Sequence, residues 1–237
     1  DTIYVVKAHG LSQYRVGEQW LRMMQAQDFE AWTEAMKIRA KVSSNLTYAD
    51  ADGVIHLVWN AAIPALPHPV SDYPVLATST EEVWTELVPY DELPQLTNPP
   101  GGYVQNANDP PYYTNLRAVL PREDFPENFP DPELRFRSQN SLELIDSDDR
   151  YSLEEFVELK HAMGMTIADR MKDGLIRALE DSLSAAPISA DLYNAIYTLK
   201  EWDNTASRDS RGSALFELWV GAYFDAVPDS LRYALPW

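Results

Sequence analysis

No cysteine occurs in the 237 residues, which removes disulfides, thiolate zinc sites and cysteine nucleophiles from consideration. Basic residues are scarce: 19 Lys and Arg stand against 37 Asp and Glu, a formal net charge of −18. Nucleic-acid affinity comes mainly from cations that displace counterions, so a nucleic-acid partner is not expected, nor is adhesion to an anionic membrane face. No apolar run approaches the roughly 18–20 residues of a membrane span. Glycine is sparse, with 9 residues, and G-x-S-x-G, G-x-x-x-x-G-K-[ST] and G-x-G-x-x-G are all missing. α/β-Hydrolase chemistry and nucleotide binding drop out with them. The opening D-T-I-Y-V-V-K-A-H-G lacks the basic start and cleavage pattern of a signal peptide. It begins directly on a strand-like run, Ile3 to Val6, as a chain cut from something larger would.

What is present is an ample supply of core material. Hydrophobic residues make up 45% and aromatics 11%, which excludes general disorder and suits one large domain or two small ones. Proline marks the organisation: 14 of 17 prolines fall between Pro64 and Pro132. Each removes a donor and pushes its predecessor out of helical space, so this third holds only short extended pieces. Within it, V-W-T-E-L-V-P-Y and G-Y-V-Q-N-A-N are the stretches expected as strands. Before it, Val16, Trp20, Met23 and Met24, then Phe29, Trp32 and Met36, fall at helical spacing and predict two helices with one buried face each. From Asn45 to Ile63 two β-rich runs flank Asp50-Ala51-Asp52-Gly53, the composition of a tight hairpin turn.

After Pro132 the chain reads as helical. Ser152 and Glu155 have capping-box spacing, with Leu153, Phe156 and Val157 as the apolar face behind them. The acidic Asp146, Asp148 and Asp149 stand just upstream, where negative charge complements a helix N-terminus. Ile167, Met171, Leu175 and Leu179 step by four, Leu192, Ile196 and Leu199 follow, and Leu215, Leu218, Trp219 and Ala222 predict a last helix. The expected division is a strand-rich part over residues 1–130 and a helical part over 131–237.

Few residues carry chemistry locally. His9, His56, His68 and His161 share no metal-ligand spacing and read as ordinary structural residues. Asp50 and Asp52 could offer oxygens to calcium, but the run lacks the ligand ladder of an EF-hand, and the hairpin reading is preferred. The 13 Tyr and 7 Trp suit carbohydrate stacking, yet most Trp sit beside other apolar side chains and read as core. Asn45 heads a strand, where its side-chain amide can donate two hydrogen bonds. An amide held on a strand suits an oxyanion hole, and an Asn before a strand also suits a turn.

The ordered set N-L-T-Y-A-D-A-D-G-V-I, A-I-P, E-E-V-W-T-E-L-V-P-Y-D-E-L-P and N-P-P-G-G-Y-V-Q-N-A-N-D resembles the penicillin acylase family. Y-V-V-K-A at the start, the helix carrying Gln19-Trp20, and Y-S-L-E-E-F, L-K-E-W-D and D-S-R-G-S-A-L-F near the end fit as well. Within the family the chain resembles most the acylases of aliphatic side chains, such as N-acyl-homoserine-lactone acylases. The resemblance implies an α+β fold, a partial αββα sandwich of the N-terminal-nucleophile (Ntn) hydrolases with a helical C-terminal half. Strands are then expected near Tyr4, over Asn45–Ile63 and over Val83–Asn106.

The resemblance also implies a precursor that cleaves itself and exposes a serine whose own α-amino group, titrating near ~7.7–8.0, acts as base in attack on an amide. Asn45 matches the family's oxyanion-binding asparagine. Asp1 does not match the nucleophile, so this chain is expected to be the C-terminal portion of a β-subunit, inactive alone. Its partners would be the missing α-subunit, the start of the β-subunit and a small amide substrate. No cofactor is implied beyond calcium, left open for the intact protein. Leu66 stands two places after Pro64, where many members carry Arg, which puts a carboxylate-bearing substrate in doubt. Export to the periplasm or outside the cell is implied by the resemblance alone. Strands lacking their partners would expose apolar faces and make the isolated chain aggregation-prone. The competing expectation is a non-catalytic binding module that keeps the acylase scaffold.

Overall fold

The computed structural model describes residues 3–10, 13–41, 43–147, 150–183 and 189–232. The chain divides into two compact units, Asp1–Asp149 and Arg150–Trp237.

The first unit begins with α1 (Val16–Gln25) and α2 (Phe29–Met36). Asp28 caps α2 by accepting the Ala31 N–H at 2.8 Å, satisfying a donor with no partner inside the helix. α2 buries Trp32, Ala35 and Met36 as its spacing predicts. α1 is turned differently from expectation, since Trp20 and Met24 are exposed and Gln19 is buried. The reason is polar. Gln19 Nε2 donates to Asn60 Oδ1 at 3.0 Å, Gln19 Oε1 accepts the Ala40 N–H at 2.8 Å, and Asn60 Nδ2 donates to the Met36 carbonyl at 2.8 Å. A buried amide pair satisfied in this way locks α1 to the strand beneath it.

That strand is β2 (Ile55–Ala61), flanked by β1 (Ser43–Ala49) and β3 (Gln95–Thr97) in an antiparallel sheet of order β1-β2-β3. The hairpin forms where expected. Asp50 N–H donates to the Val54 carbonyl, Gly53 N–H to the Asp50 carbonyl, and Asp50 Oδ1 accepts the Val54 N–H at 2.9 Å. The loop is thus three residues long, with Gly53 at φ +89°, the left-handed closing position that glycine fills without penalty. Asp50 is therefore committed to the turn.

β2 is buried on both faces. His56, Val58 and Asn60 meet the helices, with the His56 ring 4.9 Å from Phe29 and 5.8 Å from Trp32. On the other face Trp59 packs edge-on to Phe129 at 5.4 Å, beneath the proline-rich segment. That segment corrects two expectations, and the chain start a third. V-W-T-E-L-V-P-Y makes only a bridge, Pro64 to Leu87, framed by Ala65 N–H to the Glu86 carbonyl and Val88 N–H to the Ile63 carbonyl. Pro64 and Pro89 leave no donors to extend it. G-Y-V-Q-N-A-N forms no strand, and the third strand is Gln95–Thr97 instead. Ile3 to Val6 is exposed and unpaired with the sheet.

His56 is 2% exposed, and burial pushes its imidazole down to about 4. Nδ1 shares a 2.7 Å hydrogen bond with Thr97 Oγ1, and Nε2 is buried without a partner. Between pH 6.5 and 4 the unfolded chain takes up a proton that the folded chain refuses. Stability is then complete above pH 6.5 and falls as pH drops through this window, by about 2–3 kcal/mol once solvent screening is allowed for. Urea melts of wild type and His56→Gln at pH 7 and 5 check this. An unchanged acid dependence in the variant would rule it out.

α3 (Phe136–Ile145) closes the first unit. The second is helical: α4 (Leu153–Lys160), α5 (Thr166–Leu183), α6 (Ala190–Glu201), α7 (Arg211–Ala226) and α8 (Asp229–Arg232). Ser152 and Glu155 form the expected capping box. Asp146, in contrast, pairs with Arg117 at 3.1 Å, and Asp148 and Asp149 lie outside the described residues. Leu153, Phe156 and Val157 are exposed, so the capping box starts α4 without core burial of its apolar face. The core joins Ala168, Leu175 and Ile176 of α5, Ile196 and Leu199 of α6, Trp202, and Phe216 of α7. α7 turns Gly212, Ser213 and Phe216 inward, packs Leu215 and Trp219 against the same core as expected, and leaves Leu218 exposed.

Candidate active site

Asn45 is the third residue of β1, opposite Trp59. Strand alternation turns Leu46 and Tyr48 to the helices and Asn45 to the other face. The Trp59 N–H is spent on the Pro94 carbonyl at 2.8 Å. The Asn45–Trp59 pair is then of the non-hydrogen-bonded kind, in which facing side chains come closest. Both residues line an open cleft of about 590 Å³, together with Trp20, Asp109, Glu133 and Arg135. Trp20 is therefore a cleft residue and not a core one.

The Asn45 amide is anchored at one end. Its Nδ2 donates to the Asp109 carbonyl at 3.3 Å, and its Oδ1 is buried without a hydrogen-bond partner. Asn106 Nδ2 donates to the same carbonyl at 2.9 Å while Asn106 Oδ1 accepts the Asn108 N–H at 2.7 Å. The Asp109 side chain, 4% exposed, accepts the Arg135 backbone N–H at 2.8 Å and Arg135 Nε at 2.5 Å. Burial works to raise the Asp109 carboxyl, but Ser138, Arg135 and its guanidinium charge outweigh it and hold the group below the usual carboxylate range. Asp109 is thus an anion under the cleft wall, neutralised by Arg135.

Such a wall can stabilise charge. An NH₂ group has two N–H bonds, and with one engaged by Asp109 the other remains to donate to an anionic oxygen in the cleft. The remaining candidates do less. Asp50 is used by the hairpin, and the Thr97–His56 pair rests on an imidazole too hard to protonate to serve as a base near neutral pH. Among the described residues no three His, Cys, Asp or Glu side chains are placed to hold a metal ion. None of the described helices is long and apolar enough to cross a membrane.

Sequence reasoning singled out Asn45 and missed Asn106, Asp109 and Arg135. The N-A-N-D-P run carried a partial signal, since Asn and Asp close local turns. Arg135, 26 residues further on, carried none.

The penicillin amidase family matches residues 4–235. Penicillin acylase 2 proenzyme of Pseudomonas sp. (strain SE83) is 24% identical over 176 residues, which are 74% of this chain and 21% of that protein. Penicillin G acylase of Escherichia coli is 31% identical over 93 residues, 39% of this chain and 11% of the relative. The chain thus spans about a fifth or less of the curated relatives it matches. Among solved structures, a thermostable penicillin G acylase from Alcaligenes faecalis superposes with a TM-score of 0.54 at 20% identity, over 91% of this chain and 39% of that one. This likeness shows that the chain shares the α+β fold of the matched part of that acylase. With a match running almost end to end, through the hairpin that holds Asn45 and the helices of the second unit, the chain belongs to the penicillin amidase family.

Proposed function

We propose that this chain is part of an amidohydrolase that cleaves a linear amide, with Asn45 donating to the oxyanion of the tetrahedral intermediate. The observation that carries the reading is the Asn45 amide on the cleft wall, one N–H held by the Asp109 carbonyl and the other unspent. Family membership supports amide hydrolysis as the reaction. In this reading the attacking hydroxyl is a serine outside these 237 residues, exposed when a precursor cleaves itself, with its own α-amino group as base. Asn45 then acts as the carbonyl carbon becomes tetrahedral and its oxygen takes negative charge.

The substrate class is an acylated amine, such as a β-lactam antibiotic with its acyl side chain or an N-acyl-homoserine lactone, the latter implying quorum quenching. Leu66 lines a second, proline-rich cleft of about 320 Å³ that also carries Glu92 and Glu127, a lining that disfavours acyl chains bearing a carboxylate. The missing α-subunit and the start of the β-subunit are the partners in this reading, and the periplasm or the extracellular space is the location. The test is to express the complete gene and assay the processed product against phenylacetyl, glutaryl and medium-chain aliphatic amides. Hydrolysis of the aliphatic amides, with glutaryl amides the poorest, is expected. No hydrolysis of any amide by a processed, folded product would remove the reading.

A further inference from the structure

We propose that the Asp109–Arg135 pair, with Asn106, positions the oxyanion-binding amide by forcing Asn45 to turn nitrogen and not oxygen toward the Asp109 carbonyl. The inference rests on the role given to Asn45 above and adds the residues that make that role geometrically possible.

A side-chain amide is nearly symmetric in shape, and it can present either a donor or an acceptor to a cleft. Only the donor is useful beside an oxyanion, since a carbonyl oxygen there would repel the developing charge. On the face of β1 that carries Asn45, the fixed group within its reach is the Asp109 carbonyl, at 3.3 Å from Nδ2. A carbonyl oxygen accepts and never donates, so it binds Nδ2 and disfavours Oδ1. The planar NH₂ group then has its second N–H direction set, because the two N–H bonds lie about 120° apart in one plane. The unpartnered Asn45 Oδ1 agrees with this: the amide is oriented by its nitrogen alone.

The carbonyl can select only if it is itself fixed. Asn106 closes residues 106–109 into a turn, donating to the Asp109 carbonyl and accepting from Asn108. Two lone pairs let that oxygen serve Asn45 and Asn106 together. Asn108 takes a left-handed φ of +72°, and Arg135 and Arg137 donate to its carbonyl and its side chain, respectively. Arg135 also grips the Asp109 carboxylate through both its backbone and its guanidinium. Charge-assisted bonds to a nearly buried carboxylate resist reorientation far better than a solvated loop would. Asp109, Asn106 and Arg135 are therefore positioning residues that act through Asn45.

The test is a double-mutant cycle in the processed, full-length enzyme. Asp109→Asn and Asn106→Ala are each expected to lower kcat about tenfold with KM within twofold, since only the transition state develops the charge. In an Asn45→Ala background the same substitutions should change kcat by less than twofold, because no amide remains to be positioned. A merely structural role would give the same tenfold loss in both backgrounds, and that result overturns the inference while leaving Asn45 in place. Arg135→Lys, which keeps the charge, should recover most of the kcat lost in Arg135→Ala; equal losses in the two would also overturn it. If Asn45→Ala itself leaves kcat unchanged, the reading beneath the inference fails with it. Thermal melts of each variant confirm that folded enzyme is being compared, and Asn106→Ala serves if Asp109→Asn does not fold.

Discussion

Asn45→Ala in the processed full-length enzyme should lower kcat by about 10²–10³-fold, equivalent to about 2.7–4 kcal/mol of transition-state stabilisation. KM should change little, because the bond to the oxyanion is formed as charge develops and not in the ground-state complex. The cost in stability should be small. Removing the side chain deletes one 3.3 Å bond to the Asp109 carbonyl, and Asn106 still satisfies that oxygen, so about 1 kcal/mol is the expected loss. Asn45→Asp should be at least as damaging to kcat, since a carboxylate offers no N–H and would place negative charge beside the oxyanion. Steady-state kinetics with a chromogenic amide decide the matter: turnover within threefold of wild type would take Asn45 out of the site.

The largest loss of stability is expected from Gly212→Ala. A Cβ at position 212 would lie 2.3 Å from Trp202 Cγ and 2.4 Å from Trp202 Cβ. Neither atom can swing away cheaply, because Trp202 is 7% exposed, packs on Phe216 at 5.4 Å and donates through Nε1 to the Thr205 carbonyl at 2.9 Å. Overpacking of a well-filled core costs about 1–3 kcal/mol, and a clash with the root of a buried indole belongs at the upper end or beyond. A fall of about 10 °C or more in the melting of the second unit follows. Gly221 is the internal control. It lies in the same helix with nothing within 4 Å of an added Cβ, so Gly221→Ala should stabilise by about 0.5–1 kcal/mol through helix propensity. If the two alanines behave alike in calorimetry, the close approach of α7 to Trp202 is not as described.

Trp202 and Gly212 also show how a motif and its reason can be separated. L-K-E-W-D and D-S-R-G-S-A-L-F are readable in the sequence as two neighbouring runs, but nothing in either says that the glycine of one is the seat of the tryptophan of the other. The same holds for the cleft. Asn45 could be singled out as a candidate because the residue type, the strand and the family pattern coincide at one position. Its anchor was not, because the Asp109 carbonyl lies 64 residues away and is a backbone atom, with no side-chain identity to read. The third strand falls inside the expected Val83–Asn106 span but on neither of the stretches expected within it, and the cause is related. Val83 to Tyr90 has the better β composition, yet with Pro64 and Pro89 flanking it the run makes a single bridge, and the shorter Gln95–Thr97 takes the edge of β2.

Sequence alone determined the features that act over a few residues: the Asp-Gly hairpin, the Ser152 capping box, helices on either side of a proline-rich third, and the chemistries excluded by missing cysteine and glycine motifs. It was enough, through the order of its motifs, to reveal the family. Tertiary structure decided which helix faces turned inward, seating Gln19 where Trp20 was expected, and which groups meet at the cleft. The physical reason is range. Caps and turns are settled by hydrogen bonds within four or five residues, whereas the aim of a single amide depends on a carbonyl and an ion pair brought together by the path of the whole chain.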